Sequence, residues 1–286
     1  MFATLIGPFP TADEDSGRSV AEDLAALGLE PVGDGFGGRV ADAEAGPGIV
    51  GAWQTAAAST ASAVKATLLG PFSAARLHGG DPMAWGEAVG AVAADLAAAG
   101  CPLVEIEEPE AVAAAADAAL RAEMTGALRR ATEVGAGRVH LSLLLTGGNV
   151  DGLGAATLFD LPFASYAFDL IAGPENWRLI AEAPGDRGIV CGALDPADTA
   201  DDRPEPLVWA AHYAASTRGR GLERVGLANA SSLASLRRER AIRKLTALAE
   251  AARLASIADP HELAASLDPR AVDARSAALG EYRPPR

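Results

Sequence analysis

The run Leu103-Val104-Glu105-Ile106-Glu107-Glu108-Pro109 places three carboxylates in what otherwise reads as a buried strand. Strand side chains alternate between faces, so Glu105 and Glu107 point one way and Glu108 the other. An uncompensated carboxylate in an apolar strand is expensive, and its usual escape is an ion pair, a polar cavity or a ligand. A strand that ends in Glu-Glu-Pro, where the chain must leave a sheet, therefore reads as the rim of a site. The plain alternative is that Glu108 and Glu110 are solvated and begin the next helix.

Other chemistry-bearing residues are sparse. Of four histidines, His78 and His261 stand in loop or helix-start contexts. His140 opens an apolar run and reads as a core histidine or a weak metal candidate. His212 lies beside Tyr213 near the end of another apolar run, and this pair is the candidate for proton transfer. Cys101 and Cys191 both sit in apolar runs, which favours burial as reduced thiols, and no close-spaced thiol pair exists to hold a structural zinc.

The elements that must position these groups follow from periodicity. Candidate strands are Phe2 to Gly7, Glu30 to Asp34, Ala66 to Gly70, Leu103 to Glu108, Val139 to Leu145, Ser165 to Leu170, Gly188 to Leu194 and Val208 to Ala214. Between them, Ser19 to Leu29, Ala84 to Ala99 and Glu110 to Val134 carry apolar residues at three- and four-residue spacing, with Gly135 placed to end the last. Pro174 to Trp177 reads as a loop entering a helix, and Ser231 to Ser256 is the longest helical pattern. Gly33 to Gly51 shows no convincing helix. Eight strands alternating with helices predict a single (β/α)8 TIM barrel over residues 1–267, followed by a polar tail from Asp268 to Arg286. A doubly wound open sheet is disfavoured because no G-x-G-x-x-G opens a helix.

In such a barrel the site lies at the C-terminal strand ends, which singles out Gly7 to Pro10, Asp34, Pro71 to Ser73, Glu107, Thr146 to Asn149, Asp169, Asp195 and the stretch from His212 to Arg218. A net charge of -14 argues against nucleic acid or an anionic membrane as a main partner. The first residues carry no basic region or cleavage site, and no apolar stretch reaches membrane-spanning length. A cytoplasmic protein with a small-molecule substrate is the expectation, with a protein partner or homo-oligomer left open.

Several stretches together resemble one family. Thr4-Leu5-Ile6-Gly7-Pro8-Phe9-Pro10 resembles the opening strand of the cobalamin-independent methionine synthase catalytic domain. Leu27 to Gly35 and Val64 to Pro71 are similar to its second and third strands, and Ile106-Glu107-Glu108-Pro109 to its Ile-Asp-Glu-Pro. Thr217-Arg218-Gly219 and Leu227-Ala228-Asn229 resemble stretches after its eighth strand. The resemblance implies a TIM barrel, related also to the uroporphyrinogen decarboxylases, and methyl transfer from methyltetrahydrofolate to the thiol of homocysteine assisted by zinc. Within it, Glu107 would hold the substrate amine, and Ile6, Gly7, Asp169 and Arg218 would line the substrate site. The family's zinc ligands are a His-x-Cys pair, a Glu and a Cys. They fall on Ser142 and Leu144, Asp169 and Tyr213, so only Asp169 could ligate well, and no metal is expected. His140, Asp169 and His212 are the weak substitutes. The implied reading is a divergent methyl or alkyl transferase acting on a small thiol or amino-acid-like substrate. Its rival is a non-catalytic binding or partner subunit that kept the barrel and lost the metal site.

Overall fold

A computed structural model describes residues 1–10, 17–41, 45–135, 139–198 and 202–267. The tail expected from Asp268 onward lies outside these residues. Strands and helices alternate. The chain runs β1 (Phe2–Thr4), α1 (Gly17–Ala26), α2 (Gly46–Ala57), β2 (Ala66–Leu69), α3 (Pro71–His78), α4 (Pro82–Ala98), β3 (Leu103–Glu107), α5 (Ala111–Ala116) and α6 (Ala118–Gly135). It continues with β4 (His140–Leu145), α7 (Ala155–Phe159), β5 (Ser165–Asp169), α8 (Trp177–Glu182), β6 (Gly188–Leu194), α9 (Pro204–Ser216), β7 (Val225–Asn229), α10 (Arg238–Ala255) and α11 (Pro260–Leu267).

The described residues form one parallel seven-stranded sheet in the order β1-β7-β6-β5-β4-β3-β2. Its two edges, β1 and β2, are joined by residues 30–39 rather than by an eighth strand. Glu30 N–H donates to the Ala3 carbonyl, Lys65 N–H to Val32, and Leu69 N–H to Arg39, at 2.8–2.9 Å. The expected strand at Glu30 to Asp34 is therefore in the right place but makes only isolated bridges, Val32 with Val64 and, further on, Arg39 with Leu68. Pro31 lacks a donor, and Gly33, Gly35, Gly37 and Gly38 hold the segment in an irregular course. The result is an α/β fold with a curled parallel sheet, a TIM-like barrel with an irregular eighth stave.

The expected strand at Val208 to Ala214 is instead the body of α9. Its buried residues Leu207, Ala210, Ala211 and Ala214 recur at three- and four-residue spacing, and Pro204 stands in the first turn. A short apolar run does not distinguish a strand from a buried helix face, and here the helix wins. The last strand comes later, at β7, where every residue is buried.

Smaller differences have local causes. The helix expected from Glu110 to Val134 is broken at Asp117, whose backbone is extended (φ -131°, ψ 128°). Its Oδ1 accepts from the N–H groups of Ala119 and Leu120 and so starts α6 afresh. α2 begins inside Gly33–Gly51, with Pro47 in its first turn. The helix expected over Ser231 to Ser256 occupies only Arg238–Ala255. No helix among the described residues is long and apolar enough to cross a membrane.

Apolar residues bury on both faces of the sheet. The larger core lies between strands and helices, and a smaller cluster of Ile6, Leu144, Ala167, Val190 and Ala228 fills the interior of the ring.

Candidate functional site

Glu107, the last residue of β3, stands at the C-terminal mouth of the ring. Alternation puts it on the inner face with Glu105, as the sequence requires. Its Oε2 accepts from the Gly38 N–H at 3.1 Å, and among the described residues nothing donates to Oε1. Burial first, and then repulsion from Glu105, raise its pKa. A Cβ on Gly38 would stand 2.9 Å from Glu107 Oε2 and 3.2 Å from the Leu69 Cα, so only glycine lets this segment lie so close.

Asp169, the last residue of β5, is 1% exposed. Its Oδ1 accepts from the N–H groups of Ile171 (3.0 Å) and Ala172 (2.9 Å), and its Oδ2 from Gly147 (3.2 Å). Those bonds fix two mouth loops, and the carboxylate borders a cavity of about 340 Å³ with Asp195, Ser231 and Ser232. Two buried asparagines brace the same rim. Asn176 accepts from Val150 N–H and donates to the carbonyls of Gly148 and Asp169. Asn229 ties β7 to Ile6.

The other carboxylates of the Glu cluster have separate duties. Glu105 pairs with Lys65, whose Nζ lies 2.9 Å from both its oxygens, and accepts from Thr67 Oγ1 at 3.2 Å. Glu108 points outward and is fully buried, not solvated. It accepts from the N–H groups of Phe72 and Ser73 and from the Ser73 hydroxyl, capping α3. Burial nonetheless pushes its pKa up to about 7. Glu110 is half-buried and pairs with Arg76.

Several residues expected at the mouth lie elsewhere. His212 and Tyr213 are on α9, outside the ring, because the run that holds them is a helix. Tyr213 stacks on Trp209 and meets Trp177 edge-on, and His212 Nε2 is buried without a partner. Arg218 is an exposed residue in the turn after α9, with Nε 3.4 Å from the Ala181 carbonyl. Since α9 runs back from the mouth, that turn is at the opposite end of the strands. Ile6 is fully buried inside the ring, and Gly7 (φ +70°) makes the turn against Ser232. His140 begins β4 and shares a 2.8 Å hydrogen bond with Ser165 Oγ, far from Asp169 at the end of β5.

Sequence reasoning passed over Gly38, Lys65, Asn229 and the Ser231-Ser232 pair. The glycine run around Gly38 and the resemblance at Leu227-Ala228-Asn229 were the signals that could have found them. Arg220, also passed over, is fully buried and donates to the carbonyls of Arg187, Ala183 and Ala214, joining the C-terminal ends of α8 and α9.

The zinc implied by the resemblance does not fit these residues. His140, Asp169 and His212 are not brought together, and no group of three His, Cys, Asp or Glu able to hold a metal occurs among the described residues. With the last strand at Val225–Asn229, the place of the final ligand passes from Tyr213 to Ala230–Ser232, which offers hydroxyls and no thiolate. Asp169 already takes three backbone N–H groups. The cysteines lie in the core, where burial raises Cys101 to about 11 and Cys191 to about 12.

Fold and mouth together define an α/β barrel with a carboxylate-lined C-terminal opening. Solved structures share this fold at low identity. A B12-independent methionine synthase from Shewanella sp. W3-18-1, in complex with selenomethionine, superposes with a TM-score of 0.73 at 13% identity over 88% of this chain and 96% of that one. A putative vitamin-B12-independent methionine synthase from Listeria monocytogenes gives 0.68 at 13% identity, over 88% and 97%. A methyltransferase from Methanosarcina mazei gives 0.53 at 14% identity, over 72% and 64%. No family model matches the chain, and neither does any curated protein sequence.

Proposed function

We propose that the chain is a divergent barrel of the cobalamin-independent methionine synthase type. Its mouth takes a small amino-acid-like thiol such as homocysteine, and its reaction is methyl or alkyl transfer to that thiol. One observation carries the reading: Glu107 faces the mouth with one oxygen fixed by Gly38 and the other open. An arriving ammonium group supplies the positive charge that the buried carboxylate lacks, favouring its ionised form and a charge-assisted hydrogen bond. The fold likeness to a synthase solved with selenomethionine supports the same ligand class. No step is assigned to a metal, because the donor set does not suit one.

Titration calorimetry of the full chain with homocysteine and methionine tests this. Saturable binding that Glu107→Gln weakens at least tenfold is the expected result, tenfold being about 1.4 kcal/mol. Absence of binding by either compound at millimolar concentration overturns it.

The second reading is a binding or partner subunit without chemistry of its own. The scattering of His140, Asp169 and His212 favours it. Homocysteine that binds but is never S-methylated in the presence of a methylfolate selects this reading over the transferase. Methylated product selects the transferase.

A further inference from the structure

Inward-facing residues sort into three tiers along the strands. On β5, Ser165, Ala167 and Asp169 follow at two-residue spacing on one face; on β6 the series is Gly188, Val190 and Gly192. The middle tier is the apolar cluster of Ile6, Leu144, Ala167, Val190 and Ala228. The mouth lies on its C-terminal side. On its N-terminal side stand Thr4, Ser142, Ser165 and Gly188, small groups where parallel barrels usually pack bulky branched side chains.

Those small residues leave a cavity of about 420 Å³, within the size range of small-molecule sites, about 300–1,000 Å³. Phe2, Pro31, Leu103 and Ile189 give it apolar walls, and exposed His140, Asp186, Glu223 and Arg224 form its rim. Ser142 is 2% exposed and lines the cavity, yet its hydroxyl has no hydrogen-bond partner among the described residues. That hydroxyl is not one of the buried polar atoms left without a partner, so it opens onto the cavity, where it is placed to meet a ligand.

The walls are nearly neutral in charge. Lys65 and Glu105 cancel each other at 2.9 Å, as do Arg224 and Glu223 at the rim. Partial desolvation of the ring lowers the pKa of His140 and favours its neutral form, and Asp186 faces solvent. A charged guest would lose hydration on entering, and the one lining charge without an ion-pair partner among the described residues is the exposed Asp186 at the rim.

We propose that this cavity is a second binding site, separate from the mouth, for a small neutral molecule with an apolar body and one hydroxyl or amide group that bonds Ser142. The probes are four compounds with the same ring: benzyl alcohol and benzamide, which are neutral, and benzoate and benzylammonium, which are charged. They are titrated into the full chain with amide chemical shifts as the readout. The neutral pair is expected to bind saturably, with shifts centred on His140 to Ser142, Ser165 and Gly188. Ser142→Ala should weaken them about fivefold, the usual effect of one hydrogen bond, and Ser142→Phe, which fills the cavity, should abolish binding. Should Ser142→Phe fail to fold, the location of the shifts and the alanine variant still decide. Lack of saturation by the neutral probes, tighter binding of the charged ones, or shifts confined to the mouth would overturn the proposal.

Discussion

Asn229, at the end of β7, clasps the backbone of Ile6: its Oδ1 accepts from the Ile6 N–H at 3.0 Å and its Nδ2 donates to the Ile6 carbonyl at 2.6 Å. Residues 223 positions apart are thus joined at the rim. Asn229→Ala takes this partner from the Ile6 N–H and carbonyl and from the Ser231 carbonyl, where Asn229 and Ile6 are both fully buried, and should cost about 2–3 kcal/mol in urea unfolding. A loss below about half a kcal/mol would show the clasp to be dispensable.

Glu105→Gln should be more damaging than Glu107→Gln, because it strands the Lys65 ammonium, 4% exposed as a residue, without a counter-charge. Removing one member of a buried pair costs about 3–5 kcal/mol, whereas replacing both with apolar groups is often tolerated. The double variant Lys65→Met/Glu105→Leu is therefore expected to recover part of the loss. Chemical denaturation of the three proteins side by side gives the comparison, and equal damage from the single and double variants would refute the argument.

Gly38→Ala tests the mouth without touching a charge. The new methyl falls against Glu107 Oε2 and the Leu69 backbone, so the carboxylate must move. Affinity for an amino-acid ligand should drop severalfold while the fold persists, read by calorimetry together with thermal unfolding. Unchanged affinity would mean that the Gly38 contact does not position Glu107.

Acidity should stabilise the region around Glu108. Its pKa is about 7 in the folded chain against an ordinary value of 4.5, chiefly because it is buried. Between those values the folded state binds the extra proton, so stability from this group is fully present below about pH 4.5 and is lost as pH rises through about 7. Glu108→Gln removes that dependence. Urea midpoints at about pH 5 and pH 8 should diverge more in the parent than in the variant, and parallel pH profiles would contradict the assignment.

His212→Ala should leave ligand binding at the mouth unaltered, since α9 carries it outside the ring. Loss of that binding in a variant with a normal melting curve would restore His212 to the site.

Much of the fold was legible because buried parallel strands leave short apolar runs, and β2 to β6 fall where those runs occur. Two places resisted. Val208 to Ala214 is apolar enough for either a strand or a helix face, and only the partners it packs against decide. Residues 30–39 hold a strand's place through a few backbone bonds, while a proline and four glycines prevent regular pairing. The misplacement of His212, Tyr213 and Arg218 followed from the first of these, since every strand-end assignment inherits the strand.

By itself the sequence determined the alternation at Leu103 to Glu108, which sends Glu105 and Glu107 inward and Glu108 to the other face, because a pleated strand has a period of two. It could not assign their duties. Tertiary structure gave Glu105 a lysine from β2's approach, Glu108 the amides that open α3, and Glu107 a single glycine N–H with one oxygen left open. Whether a buried carboxylate is a brace or a binding group depends on which distant residues reach it, and that is set by packing rather than by local pattern.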